Sequence, residues 1–232
     1  MNGSLEILAL AMGLFIVSHL VLPAAVLRHP LTRVLGEWGY LVGYSLISVA
    51  LLAWLINIYK ATPYIEIFTP NTAMRHASLT LMMLASFFMA GGLFTRNPST
   101  VQGAKLGWKP QAKGIFKITR HPVMWGVALW GVSHVLANGH AAALIFFGGM
   151  AIIAIGGAMH LDHRKRMSLG DEWTAFEAET SFVPLVAIAT GKIRMERGEI
   201  PWWQSLIAVG LYIGMIAGHA ALGRDVFPLN FF

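Results

Sequence analysis

Residues 141–159, AAALIFFGGMAIIAIGGAM, pass through nineteen positions without one charged side chain. A bilayer core asks for about 20 mainly apolar residues of helix, so this stretch reads as a membrane crossing that extends to 160. Residues 77–95, ASLTLMMLASFFMAGGLFT, are equally free of charge and read the same way. Working outward from these two, four more apolar stretches of similar length stand at 5–27, 38–59, 122–140 and 203–222. The sequence therefore predicts an all-α polytopic membrane protein, a bundle of six transmembrane helices with short cytoplasmic helical segments. Segment 122–140 is, with 77–95, the shortest; it opens on Pro122, which a first helical turn tolerates, and closes on the turn signal Asn138-Gly139. No positive charge precedes segment 5–27 and its apolar run is too long for a signal-peptide core, so it reads as an anchor. No internal repeat or low-complexity tract is evident, and residues 1–232 read as one domain.

The composition agrees. Of 232 residues, 56% are hydrophobic and 12% charged, with a mean hydropathy of +0.62, whereas a soluble domain carries roughly twice that charge. Cysteine is absent, which excludes disulfides, thiolate metal ligands, iron–sulfur clusters and a cysteine nucleophile. The net charge of +6 calls for no nucleic acid, because the basic residues sit between apolar runs, where topology signals belong. One set of connections holds Arg28, Arg33, Arg96, Lys105, Lys109, Lys113, Lys117, Arg120, Arg164, Lys165, Arg166, Lys192, Arg194 and Arg197, and the other only Lys60, Arg75 and Arg224. By the positive-inside rule both termini lie outside the cytoplasmic membrane, and segments 96–121 and 161–202 lie in the cytoplasm. Trp38, Trp202 and Trp203 fall at the inner interface and Trp54 near the outer one. Within the cytoplasmic segments, KGIFKITRH (113–121) suits a short interfacial helix or turn, and 171–188 reads as a helix through Trp173 and Phe176 that stops before Pro184.

Ionisable groups inside a membrane helix are costly and mark function by default. Of nine histidines, His19 lies about 12 Å above the cytoplasmic end of its span and His134 about 21 Å above Arg120, at ~1.5 Å per residue. Their offset of roughly 9 Å suits two axial ligands of one haem, whose backbones stand on the order of 12 Å apart. Met12, Phe15 and Pro23 flank His19; Gly131, Val127 and Val123 beside His134 offer a small apolar surface for a macrocycle. The alternative for each is a neutral histidine hydrogen-bonded to a neighbouring helix. His219 sits in the outer part of the last span, and the other six lie at helix ends. His121 stands about 220° around its helix from His134, so the two face different sites; beside Arg120 at a helix start, it suits a phosphate, propionate or cofactor carboxylate.

A set of motifs spans nearly the whole chain: His19 followed by Arg28; Arg120-His121-Pro122; Trp130 to His134 with Leu136-Ala137-Asn138-Gly139; and Thr180-Ser181-Phe182-Val183-Pro184 with Ala187 and Gly191. Together they resemble the NnrU family of bacterial membrane proteins, whose relatives include the plant and algal 15-cis-ζ-carotene isomerases. The resemblance implies haem b held by two histidines, matching His19 and His134, with iron acting on a cis double bond of a long polyene that enters from the bilayer. Gly131-Val132-Ser133 stands where the isomerases carry a cysteine. Arg28 and Arg120 become propionate partners, since guanidinium matches carboxylate geometry. For the NnrU branch the resemblance implies an accessory role beside a respiratory enzyme of denitrification or nitric oxide metabolism.

A second resemblance belongs to a different class. GIFKITRHPVMWG, followed about fifty residues later by GDEWTAFEAETSFVP, is similar to isoprenylcysteine carboxyl methyltransferases, implying S-adenosylmethionine held by Arg120, His121, Glu172 and Trp173, its sulfonium over the indole. Those enzymes carry a tyrosine after His-Pro where Met124 and Trp125 stand here, and a glutamate pair where Leu161-Asp162-His163 stands. A transporter or scaffold is the third class. Transporters place carboxylates or broken helices at mid-membrane, and the six predicted spans hold none beyond Glu6.

Overall fold

The computed structural model describes residues 3–100, 103, 106–223 and 226; Lys105 and Arg224, two residues of the charge comparison, lie outside them. Among the described residues the chain is all-helical, with α1 (Leu5–Val21), α2 (Ala25–Ala61), α3 (Thr72–Leu93), α4 (Ile115–Ile118), α5 (Pro122–Asn138), α6 (Ala141–Leu169), α7 (Asp171–Glu179), α8 (Val186–Ala189) and α9 (Trp202–Ala221). Each of the six apolar stretches falls on a helix. Four helices, α2, α3, α6 and α9, are long and apolar enough to cross a membrane, whereas α1 and α5 have 17 residues each. Only 11% of the apolar windows of α2 and α9 is buried within the protein. Their outward apolar faces match lipid as a solvent, and the chain is a multi-pass membrane protein.

Three boundaries differ from the sequence reading. Segment 5–27 breaks at Leu22–Ala24, because Pro23 cannot continue the hydrogen-bond ladder of α1, and Ala25 opens α2. Helix α2 breaks at Gly36, whose φ of 69° and ψ of 168° are open to glycine at no steric cost. Residues 28–35 are therefore helical rather than a plain connection. Helix α6 continues past residue 160 to Leu169, carrying Asp162, Lys165 and Arg166 as ordered helical residues.

The chain divides into two compact units. The first comprises residues 1–79 and 127–160. Its core gathers Leu8, Ala11, Met12 and Phe15 of α1, Leu55 and Ile58 of α2, and Ala142 and Phe146 of α6, with Trp130 and Phe147 packed against them. Gly139, at φ 64°, ends α5 by donating its N–H to Val135 O (3.1 Å), while its carbonyl accepts from Ile67 (2.9 Å) and Phe68 (3.0 Å). That is the turn read from Asn138-Gly139, here also serving as an anchor for the connection between α2 and α3.

The second unit comprises residues 80–126 and 161–232. Ile115 and Phe116 of α4 and Trp173 and Phe176 of α7 are among its buried apolar side chains, and Ala187 of α8 is fully buried. Segment 118–125 is stitched to 181–185: Arg120 N–H donates to Ser181 O (3.1 Å), Leu185 N–H to Ile118 O (2.8 Å), Thr119 Oγ1 to Phe182 O (2.7 Å) and Trp125 Nε1 to Phe182 O (2.8 Å). Two motifs sixty residues apart in sequence thus form one structure, locked at its end by Leu185 with φ 68° directly after Pro184.

Candidate functional site

The first unit presents two histidines in nearly the same setting. His19 Nδ1 donates to Phe15 O (2.8 Å) and lies 3.2 Å from Ser18 Oγ, which donates to the same carbonyl (2.8 Å). His134 Nδ1 donates to Trp130 O (2.9 Å) and lies 3.3 Å from Ser133 Oγ, itself donating to Trp130 O (2.9 Å). Each ring packs on the aromatic residue four positions earlier, Phe15 at 4.1 Å and Trp130 at 5.0 Å between centroids. A further ring completes each setting, Tyr44 at 5.7 Å for His19 and Phe147 at 4.6 Å for His134. Since Phe15 belongs to the core cluster and Trp130 and Phe147 pack on it, both histidines border the same apolar body.

This repetition is legible in the sequence as well. Residues 15–19 are FIVSH and 130–134 are WGVSH, an aromatic residue, one variable position, then Val-Ser-His. The chemical consequence lies in the tautomer. A carbonyl oxygen only accepts, so Nδ1 carries the hydrogen, and the lone pair of the neutral imidazole sits on Nε2. That is the arrangement of a metal-binding histidine whose orientation is fixed by a second hydrogen bond. His219 makes the same backbone bond, to Met215 O (2.8 Å), but follows Gly218 rather than a serine. His140 differs: its Nδ1 accepts from Ala143 N–H (3.2 Å) at the start of α6, and its ring packs on Tyr59 and Tyr64.

In the same unit Arg28 pairs with Glu37 (3.0 Å) and lies over Tyr40. Arg120 and His121 belong to the second unit, where both converge on Asp162. Oδ2 of Asp162 accepts from Arg120 Nε (2.9 Å) and Nη2 (2.7 Å), and Oδ1 from His121 Nε2 (2.6 Å). Arg120 is also 3.5 Å from Glu177, which is held in turn by Arg166 (2.6 Å). The His121 side chain is fully buried, and its Nδ1 has no hydrogen-bond partner among the described residues. The sequence reading missed Asp162, Glu177 and Lys165. Asp162 stands just beyond a span predicted to end at 160, and its partners lie about forty residues earlier in the chain. Trp173 is fully buried, and the ring that the methyltransferase reading reserves for a sulfonium has the Lys165 ammonium 5.9 Å from its centroid. Glu172 is exposed.

Together, the all-helical fold and the apolar outward faces of α2 and α9 define a multi-pass helical membrane protein. The chain belongs to the NnrU family, matching the family described as NnrU protein over residues 7–226. It is 27% identical over 182 residues to the chloroplastic 15-cis-zeta-carotene isomerase of Zea mays, a match covering 75% of this chain and 48% of that protein. It is 33% identical over 79 residues to the Arabidopsis thaliana protein of the same description, covering 34% of this chain and 22% of that one. The chain thus spans about half the length, or less, of the curated relatives it matches. No solved structure matches it.

Proposed function

We propose that this protein binds haem b through His19 and His134 and acts on an apolar, carotenoid-type substrate drawn from the bilayer, as an isomerase-like membrane protein. The observation that carries the reading is the repeated aromatic-x-Val-Ser-His unit, which presents two imidazoles with Nδ1 tied to a helix carbonyl and the lone pair on Nε2. The donor set fits the group, since two half-buried histidines with the Nε2 lone pair available to a metal border one aromatic cluster. When bound, haem supplies iron that lowers the barrier to rotation about a cis double bond of a polyene.

The chain's own residues do the rest. Ser18 and Ser133 share the carbonyls that anchor the rings and so limit their rotation, while Phe15, Tyr44, Trp130 and Phe147 pack against the rings and exclude water. Arg28 is the guanidinium of this unit proposed to meet a propionate, with Glu37 as its resting partner. Arg120 and His121, bound to Asp162, are proposed to brace the start of α5, the helix that carries His134 twelve residues later. The description of the maize and Arabidopsis relatives as 15-cis-zeta-carotene isomerases supports the substrate class. The excess of Lys and Arg in segments 96–121 and 161–202 supports a cytoplasmic-membrane orientation with both termini outside; a respiratory partner is not needed by any feature of the site.

The test is an absorption spectrum of detergent-purified protein made with ample haem, oxidised and reduced, with pyridine haemochrome quantitation. A Soret band corresponding to about one haem per chain, lost or shifted in His19→Ala and in His134→Ala while both variants elute as monodisperse protein, is the expected result. A colourless wild-type protein overturns the reading.

A further inference from the structure

The second unit contains a cavity of about 500 Å³, lined by Arg96, Lys109 and Lys113, by Trp108 and Phe116, and by Glu199 and Gln204. We infer that it binds a phosphate ester that also carries a hydroxyl or ammonium donor, the chemistry of a phosphoglycerol headgroup.

Four observations converge on that class. Gln204, in the first turn of α9, is 1% exposed, yet its amide Nε2 has no acceptor among the described residues. Space for this carboxamide comes from Gly91, where a Cβ would lie 2.6 Å from Nε2 and 2.8 Å from Ile115 Cγ1. Glu199 gives one oxygen to Lys117, while its other oxygen, Oε2, is buried and takes no hydrogen bond from the described residues. Arg96, Lys109 and Lys113 are exposed and pair with no carboxylate among the described residues.

The polar groups thus ask for complementary things. An uncommitted amide donor and three free cations call for an anion with several acceptor oxygens, which a phosphate has and a single carboxylate supplies less fully. The buried Glu199 oxygen calls for a hydrogen-bond donor on the same ligand, because a buried acceptor left unmatched forfeits the hydrogen bond that water would have given it. Trp108 and Phe116 supply apolar wall for the carbon skeleton. The volume lies in the range of small-molecule sites, roughly 300–1,000 Å³, and exceeds what bare phosphate fills. None of these residues belongs to the histidine pair, so the inference stands independently of haem.

Two sources carry this chemistry, a soluble phosphate ester and a phospholipid headgroup. The test uses full-length protein in detergent, titrated calorimetrically with sn-glycerol 3-phosphate against inorganic phosphate, and native mass spectrometry after exchange into phosphatidylglycerol against phosphatidylcholine. Saturable heat with glycerol 3-phosphate, tighter than with phosphate, assigns the soluble source; selective retention of phosphatidylglycerol assigns the lipid. In either case Gln204→Leu weakens binding about tenfold. The Lys109→Glu and Lys113→Glu double variant, altered at exposed positions that leave the fold alone, removes the salt-sensitive part of binding. Absence of both signals in the wild type overturns the inference, as does binding that neither set of substitutions changes.

Discussion

Asp162 accepts three hydrogen bonds on two oxygens while almost fully buried, and the burial decides what its loss means. An exposed ion pair is worth 0–1 kcal/mol, but removing one partner of a buried pair leaves an uncompensated charge and costs about 3–5 kcal/mol. Asp162→Asn is expected to destabilise the second unit by that amount, visible as a lower midpoint of thermal denaturation in detergent. Glu177→Gln, which touches Arg120 from the longer distance of 3.5 Å and leaves Asp162 in place, is expected to cost clearly less. Equal losses in the two variants would remove Asp162 from the centre of the cluster. At this scale legibility is uneven. His19 and His134 stand out because a histidine in an apolar run is expensive, and Arg120-His121-Pro122 stands out as a motif. Asp162 did not, because a lone carboxylate near a helix end looks like any interfacial charge until its partners arrive from elsewhere in the chain.

At the level of helices, apolar composition alone located every long element, since lipid demands internally satisfied backbone over a fixed thickness. Boundaries were less legible: the break at Gly36 depends on a backbone conformation that a neighbouring Trp-Gly-Tyr sequence does not announce, and α6 runs on as a polar helix where hydropathy stops counting it. Close approach within the first unit is another such property. A Cβ on Gly131 would sit 2.5 Å from Phe147 O, where the neighbour is backbone and does not yield. Gly→Ala in a helix normally gains about 1 kcal/mol, and here the clash, about 1–3 kcal/mol, outweighs it. Gly131→Ala is therefore expected to lower thermal stability; a rise in the midpoint would show that α5 and α6 have room to spare. His140 caps α6 by accepting the Ala143 N–H at Nδ1. His140→Asn, which keeps an acceptor at the cap, should leave the thermal midpoint nearly unchanged, whereas His140→Ala should cost about 1 kcal/mol; equal losses in the two variants would show that an acceptor at this position does not carry the cap.

For the whole molecule the distribution of Lys and Arg makes a prediction that the absence of cysteine renders simple to check. Single substitutions Tyr64→Cys and Lys192→Cys place one thiol each at exposed positions. In intact spheroplasts a membrane-impermeant maleimide should label the first and spare the second until the membrane is opened; the reverse pattern would invert the topology. No linker marks the boundary between the two compact units, because α3, α5 and α6 each contribute residues to both. Trp173 turns that division to use. A fully buried indole that packs on Phe176 and lies beneath the Lys165 ammonium emits at short wavelength while the second unit is folded. With the other seven tryptophans replaced by phenylalanine, the emission of Trp173 followed through a denaturant titration reports the melting of the second unit by itself, and a midpoint that differs from that of the helical circular dichroism signal shows that the two units do not melt together.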